Sequence, residues 1–293
     1  MTSAALLEEF LRHLRVERGL AENSWLTYRY QLAGYLRFLE GRGRDVLSAT
    51  RDDVVAYLEE KKNGSLKAST LFTAAVAVRQ FHGFLVAKGL APADPTAGMK
   101  LPKFKQQLPN PLSEEEIRRL LDRPGYKFRD IRNLAMLEVL YATGLRVSEL
   151  TGLIAEQLNL KDGWIRVFGK GAKERMVPIG PRATAAILRY LETKTTRFPA
   201  AQGPLFVSVR GRPLGRGAFW SALRKMGQAA QLAARVFPHR IRHSAATSLL
   251  EGGMDLRVLQ EMLGHSAITT TQIYAHVRAE HLKESYRKAH PRF

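Results

Sequence analysis

Apolar residues in the first part of the chain recur at helical spacing. Leu6, Leu7, Phe10, Leu11 and Leu14 mark one face, and Tyr28, Leu32, Tyr35, Leu36 and Leu39 mark a second that stops at Gly41 and Gly43. Asp52 is placed to cap a third helix carrying Val54, Val55 and Leu58. Ser69 is placed to cap a fourth that runs through Leu71, Val78, Phe81 and Leu85 to Gly89. These short helices predict a four-helix bundle. The rings of Trp25, Tyr28, Tyr35 and Phe38 would suit stacking on nucleic-acid bases. Their spacing is that of a helix core, and the core reading is the simpler one.

The pattern breaks at Lys100–Pro111, KLPKFKQQLPNP, which holds three prolines, three lysines and no acid. It reads as a linker between a domain over 1–99 and a second over 112–293. Beyond it, Ser113-Glu-Glu-Glu116 is a capping box that opens a helix. Ile131–Ala142 is almost entirely apolar, as expected of a central buried helix, and Thr143-Gly144 closes it. The period then changes from helical to alternating. Trp164–Phe168 and Arg175–Ile179 predict two strands joined by the turn GKGAKE. Helices resume at Pro181 and run almost to the end, where Leu282 and Tyr286 share a face of the basic stretch Arg278–Phe293. The fold class expected is mainly α, with a helical bundle followed by a larger helical domain that carries a small antiparallel sheet.

Charge narrows the function. The chain has 293 residues, with 46 Lys and Arg against 27 Asp and Glu, a formal net charge of +19. Residues 1–110 hold 16 basic and 11 acidic residues, and the remainder 30 and 16, so the second part carries most of the excess. Such a surplus points to an anionic partner, nucleic acid or membrane. The opening MTSAALLEEF lacks a basic segment followed by an apolar core, so it does not read as a signal peptide. No uninterrupted apolar run approaches the ~20 residues of a membrane span. The expectation is a cytoplasmic protein that binds double-stranded DNA and no membrane. The chain has no cysteine, which excludes disulfides, thiolate zinc sites, cysteine nucleophiles and iron–sulfur clusters.

Four segments carry candidate chemistry. In Ala142-Thr-Gly-Leu-Arg-Val-Ser-Glu-Leu150, Arg146 stands at a helix junction where a guanidinium and backbone N–H groups face one anion, and Glu149 is spaced to hold it. Taken alone, that pair is also what a surface ion pair looks like. In Gly169-Lys-Gly-Ala-Lys-Glu-Arg175, two glycines let Lys170 project from a tight turn. A phosphate-binding P-loop is excluded there, because five residues separate Gly163 from Gly169 and Gly171 follows the lysine. In Pro238-His-Arg-Ile-Arg-His243, His239 and Arg242 share a helical face, with His243 beside them. His239 and His243 have the spacing of a zinc pair, but Arg240 and Arg242 would repel a dication. In the fourth segment, Gly264 ends a helix, His265 sits in the bend, and Tyr274 lies in the next amphipathic stretch.

In order and spacing, ATGLRVSEL, GKGAKERMVPI, PHRIRHS and LGHSAITTTQIYAHV resemble the four active-site boxes of tyrosine site-specific recombinases, and most closely the bacterial XerC/XerD group. The resemblance runs over nearly the whole chain. It implies a catalytic set of Arg146, Lys170, His239, Arg242, His265 and the nucleophile Tyr274, with Glu149 supporting the first arginine. Ala172 stands where asparagine is common in the family, and Arg240 where an apolar residue is common; neither is a catalytic position.

The residue types suit the chemistry. Guanidiniums stabilise the charge that builds up on the non-bridging oxygens of a phosphodiester. Tyrosine, protonated at neutral pH, needs a proton acceptor, for which His239 is placed. A 5′-oxygen leaves only if protonated, which suits a lysine on a turn. The expected reaction is strand cleavage and rejoining through a covalent 3′-phosphotyrosyl intermediate. It would proceed without ATP, and with no cofactor or metal, since the sequence shows no carboxylate cluster for magnesium. The resemblance further implies a homo- or hetero-tetramer on DNA with a paralogous recombinase, a C-terminal end that packs into a neighbouring subunit, and resolution of chromosome dimers with an FtsK-type translocase. Alternatives are a phage or plasmid integrase, a type IB topoisomerase-like relaxase, and a catalytically silent DNA-binding protein.

Overall fold

The computed structural model describes residues 2–20, 22–64, 68–102, 110–123, 125–169, 174–199, 203–233, 235–264 and 275–293, and omits the side chains of 23 and 275–279. The chain divides into two compact units, Met1–Leu108 and Pro109–Phe293.

In the first unit, α1 (Ser3–Val16) begins where the Thr2 hydroxyl accepts a hydrogen bond from the Ala5 amide at 3.3 Å. It buries all five leucine and phenylalanine positions that its spacing singled out. Three helices follow: α2 (Glu22–Gly41), α3 (Arg51–Asn63) and α4 (Ala68–Ala87). Helix α3 is capped by Thr50 and not by Asp52. The Thr50 hydroxyl accepts from the Asp53 amide while the Asp53 carboxylate accepts from the Thr50 amide, so two otherwise orphan donors are satisfied reciprocally. Ser69 lies inside α4, where its carbonyl accepts from the Thr73 hydroxyl at 2.9 Å. Tyr35 is fully buried, and Trp25, Tyr28 and Phe38 pack against the same core, so these rings serve packing. By length and mean composition α4 is apolar enough to cross a membrane, although Arg79, Gln80 and His82 interrupt its apolar run. Its apolar side, with Val78, Phe81 and Leu85, is instead consumed by this core.

In the second unit, the Ser113–Glu116 capping box opens α5 (Glu114–Leu121). The central helix is α6 (Phe128–Thr143), whose Ala135, Met136, Leu137, Val139 and Leu140 are completely buried. It starts three residues before Ile131 and ends on Gly144 in the left-handed conformation. A short α7 (Val147–Thr151) leads to a three-stranded antiparallel sheet: β1 (Leu158–Asn159), β2 (Trp164–Phe168) and β3 (Glu174–Pro178), in that order. The pair β1–β2 adds a strand to the predicted hairpin. Ile165 pairs with Val177, and Val167 with Arg175. Five helices complete the unit: α8 (Pro181–Arg197), α9 (Arg216–Ala229), α10 (Pro238–Glu251), α11 (Leu256–Leu263) and α12 (Ala275–Ala289).

The C-terminal end is packed within its own unit. Tyr286, Ala289 and His290 are buried, and the Arg292 guanidinium reaches Glu138 at 2.7 Å and Asp122 at 3.0 Å. Burial pushes the His290 pKa down to about 4, so it is neutral at physiological pH.

Candidate active site

Two helix ends build the site. Helices α6 and α11 both stop on a left-handed glycine, Gly144 with φ 59° and Gly264 with φ 69°. Each end leaves carbonyls without intrahelical partners at the negative end of the helix dipole. Three arginines supply the donors. Arg242, on α10, donates to the Gly144 carbonyl and, at 2.9 Å, to the Leu263 carbonyl. Arg175, at the start of β3, donates through Nε to the Met262 carbonyl at 2.9 Å. Arg146, the N-cap of α7, donates through Nη2 to the Gly264 carbonyl at 3.1 Å. Three consecutive carbonyls at the end of α11 and its cap, Met262, Leu263 and Gly264, therefore each receive a different guanidinium.

Both glycines are required for close approach as well as for their backbone conformation. A Cβ on Gly144 would lie 2.6 Å from Leu263 Cδ2, and one on Gly264 would lie 3.1 Å from Cζ of Arg175. The tight stops bring two helix ends and three guanidiniums into one place.

Glu149 sits under this cluster with 8% of its side chain exposed. Its Oε1 accepts from Arg146 Nη1 and from Arg175 Nη1, each at 3.1 Å. Its Oε2 accepts from the Arg146 amide at 2.8 Å and from Arg175 Nη2 at 2.9 Å. Burial alone would raise its pKa. The hydrogen bonds from Arg175 and from the Arg146 amide, together with both positive charges, outweigh burial and hold the carboxyl below the usual range. Arg242 has its pKa lowered to about 10, first by burial and then by repulsion from Arg146, and stays charged at neutral pH. One carboxylate thus faces three guanidiniums, and the described cluster keeps a surplus of two positive charges. Such a surplus attracts an anion.

The four residues differ in access. Arg175 is 13% exposed and spends its fork on Glu149, whereas Arg146 is 41% exposed. Arg175 is therefore the internal clamp, and Arg146 presents donors outward. Exposed His239 stands in the first turn of α10, one turn before Arg242 on the same face. The structure thus unites Arg146, Glu149 and Arg242 and sets His239 on the helix that carries Arg242. Lys170, His265 and Tyr274 lie outside the described residues. In the chain they directly follow Gly169, directly follow Gly264 and directly precede α12.

Arg175 was not singled out from sequence, although a signal was present. It has the same strand parity as Val177, which is buried, and a cation on the inward face of a strand requires an acidic partner. No group of His, Asp and Glu suited to holding a metal is found among the described residues.

Residues 110–281 match the Phage integrase family, and residues 7–89 match the Phage integrase N-terminal SAM-like domain. A tyrosine recombinase XerD of Halalkalibacterium halodurans is 41% identical over 291 residues, covering 98% of this chain and 97% of that protein. The chain is a tyrosine recombinase of the XerC/XerD group. As a recombinase it is an enzyme that cleaves and rejoins DNA strands at specific sites. Solved structures share the recombinase fold. XerH bound to a palindromic difH substrate in a post-cleavage complex aligns with a TM-score of 0.71 at 21% identity, over 97% of this chain and 84% of that one. A lambda integrase tetramer bound to a Holliday junction aligns with a TM-score of 0.71 at 17% identity, over 98% and 78%.

Proposed function

We propose that the arginine cluster binds the scissile phosphodiester of duplex DNA and that Tyr274 attacks its phosphorus. The observation that carries this reading is the surplus of cationic donors around Glu149, with Arg146 presented outward and Arg242 beside it. In the pentacoordinate transition state, negative charge grows on the non-bridging oxygens. Donors already fixed by α6 and α11 stabilise that charge without reorganising, and losing one typically costs ~10²–10³ in rate. Glu149 and Arg175 are positioning residues: they hold Arg146 and touch no substrate.

In the forward step the Tyr274 oxygen forms a bond to phosphorus and the bond to the 5′-oxygen breaks. The tyrosine proton passes to His239, and the 5′-oxygen takes a proton from Lys170. His265 adds a further hydrogen bond to the phosphate. The product is a 3′-phosphotyrosyl ester and a free 5′-hydroxyl. Attack by a 5′-hydroxyl on that ester reverses the step, so rejoining needs no external energy source.

The bundle over 1–99 and the domain over 112–293, joined by the linker, would hold the duplex between them. Because the relatives are XerD recombinases, the role we favour is resolution of chromosome dimers in the cytoplasm. The assembly would be a tetramer on a specific site, with a paralogous recombinase and activation by an FtsK-type translocase. The C-terminal end, packed here in its own unit, would exchange into a neighbouring subunit in that tetramer.

The test uses a nicked duplex carrying the cognate site, resolved on a denaturing gel. Wild type should trap protein on the 3′ end and Tyr274→Phe should not. An adduct formed by Tyr274→Phe would overturn the assignment of the nucleophile. Lys170→Ala should bind DNA normally and cleave slowly, with the rate restored by a 5′-thiolate leaving group that needs no proton. Failure of that rescue would remove Lys170 as the acid.

A further inference from the structure

A second basic recess lies in the Pro109–Phe293 unit, away from the arginine cluster. A cavity of about 380 Å³ opens between the first turns of α6 and one face of α9. Arg123, Arg129, Arg132 and Lys225 line it, with Asp130 as the one acidic residue among its described lining. Asp130 is already engaged, since its Oδ1 accepts from Arg129 Nε at 3.3 Å. Arg132 is only 5% exposed and is held by neutral acceptors alone. It donates to Asn133 Oδ1 at 3.1 and 2.7 Å and to the Val207 carbonyl at 3.0 Å. Among the described residues, no carboxylate lies within ion-pair distance of Arg123, Arg132 or Lys225.

A buried guanidinium without an acidic partner is costly to keep charged, and burial accordingly lowers the Arg132 pKa. The cost falls if an anion enters. Two further features favour one. Helix α6 has Lys127 at its N-cap and no side-chain cap; the Asp130 amide is spent on the Lys127 carbonyl at 2.8 Å, and the positive end of the helix dipole lies at the turn that carries Arg129. On α9 the lining residues Ala218, Ser221 and Ala222 are small, which leaves the recess open. The volume falls in the range of small-molecule sites, ~300–1,000 Å³. The catalytic cluster gathers at the other end of α6, about 15–22 Å from the recess-lining residues by helical rise. One phosphate cannot serve both places.

We propose that this recess is a second phosphate-binding site, taking a phosphate either from a free polyphosphate-bearing molecule or from the DNA backbone outside the cleavage point. The full-length protein is titrated calorimetrically with inorganic tripolyphosphate, and its affinity for duplex DNA is followed against salt. The variant is Arg129→Gln/Lys225→Gln, which alters two cations that line the recess and are exposed and outside the arginine cluster. Arg146→Gln serves as the reference in which the catalytic cluster is weakened.

If the ligand is a free polyphosphate, Arg146→Gln retains a tripolyphosphate site and the double variant loses it or binds about tenfold or more weakly there. If the source is the DNA backbone, the slope of log affinity against log salt falls by about 2 in the double variant, and cleavage of the nicked duplex persists. If the double variant matches wild type in both measurements, the proposal is overturned. Binding of tripolyphosphate that disappears only in Arg146→Gln would also overturn it, while leaving the reading of the catalytic cluster intact.

Discussion

Replacing Glu149 by glutamine tests whether one buried carboxylate organises the arginine cluster. The carboxylate accepts four hydrogen bonds, two from the Arg175 fork and two from Arg146. Glutamine keeps one acceptor oxygen and turns an N–H₂ toward guanidinium donors, so the fork from Arg175 is broken and three cations lose their counter-charge. Removing one partner of a buried pair costs ~3–5 kcal/mol. Arg146 is 41% exposed, and solvent screening reduces its share. The expected loss is therefore about 3 kcal/mol, carried mostly by Arg175. For a unit of this size that corresponds to a fall of about 6–12 °C in Tm.

The pH dependence adds a second readout for Glu149. Its pKa is lower in the folded protein than in the unfolded chain. Its contribution is thus present above the ordinary carboxylate pKa and is lost as pH falls through the folded value. Thermal unfolding of both proteins from pH 7 down to about pH 3 should show the gap between them narrowing on the acid side. Cleavage of a nicked duplex by Glu149→Gln should fall by roughly 10²-fold, the cost of misplacing one preorganised donor. A Tm within about 2 °C of wild type at pH 7, or a gap that does not change with pH, would refute the argument.

Gly144→Ala should cost about 2–3 kcal/mol in urea unfolding, because it combines a left-handed backbone with a Cβ 2.6 Å from Leu263 Cδ2. Gly264→Ala sets a Cβ 3.1 Å from the Arg175 guanidinium that Glu149 and the Met262 carbonyl hold, on a left-handed backbone, so stability should fall by about 1–2 kcal/mol while cleavage falls more steeply. Arg292→Ala strands Glu138, which is 11% exposed, and should lower stability by about 3 kcal/mol, with Arg292→Lys recovering part of it. In the first unit, buried His82 has its pKa pushed down to about 4 and bonds to the Tyr35 hydroxyl at 2.9 Å. The unfolded chain binds its proton first, so stability is full above about pH 6.5 and declines as pH falls toward 4. His82→Gln should flatten that decline, as followed by Trp25 fluorescence; an unchanged slope would remove His82 as its cause.

Much of this architecture follows from rules that act over a few residues. The periodicity of Leu6 to Leu14, the Ser113–Glu116 box and the glycine stops at Gly144 and Gly264 depend on caps, spacing and sterics. Those forces operate within one or two turns, and for that reason they are legible in sequence. The same locality explains the misses. Thr50, Asp52 and Asp53 are all capable caps, and the choice depends on which can bond reciprocally. The two-residue β1 has too little pattern to be seen.

The motif order was enough to nominate Arg146, Glu149 and Arg242, since residue type and spacing encode their chemistry. Tertiary structure alone decided how they are held. The Arg146 guanidinium meets a carbonyl 118 residues away, and Arg175 closes on a carboxylate 26 residues before it. These contacts exist because two helices end side by side with unsatisfied carbonyls, a circumstance that no local window contains. The burial of Tyr286 and the pairing of Arg292 with Glu138 across 154 residues are of the same kind. The sequence shows the basic charge of Arg278–Phe293 but not Glu138, the buried acid that Arg292 meets.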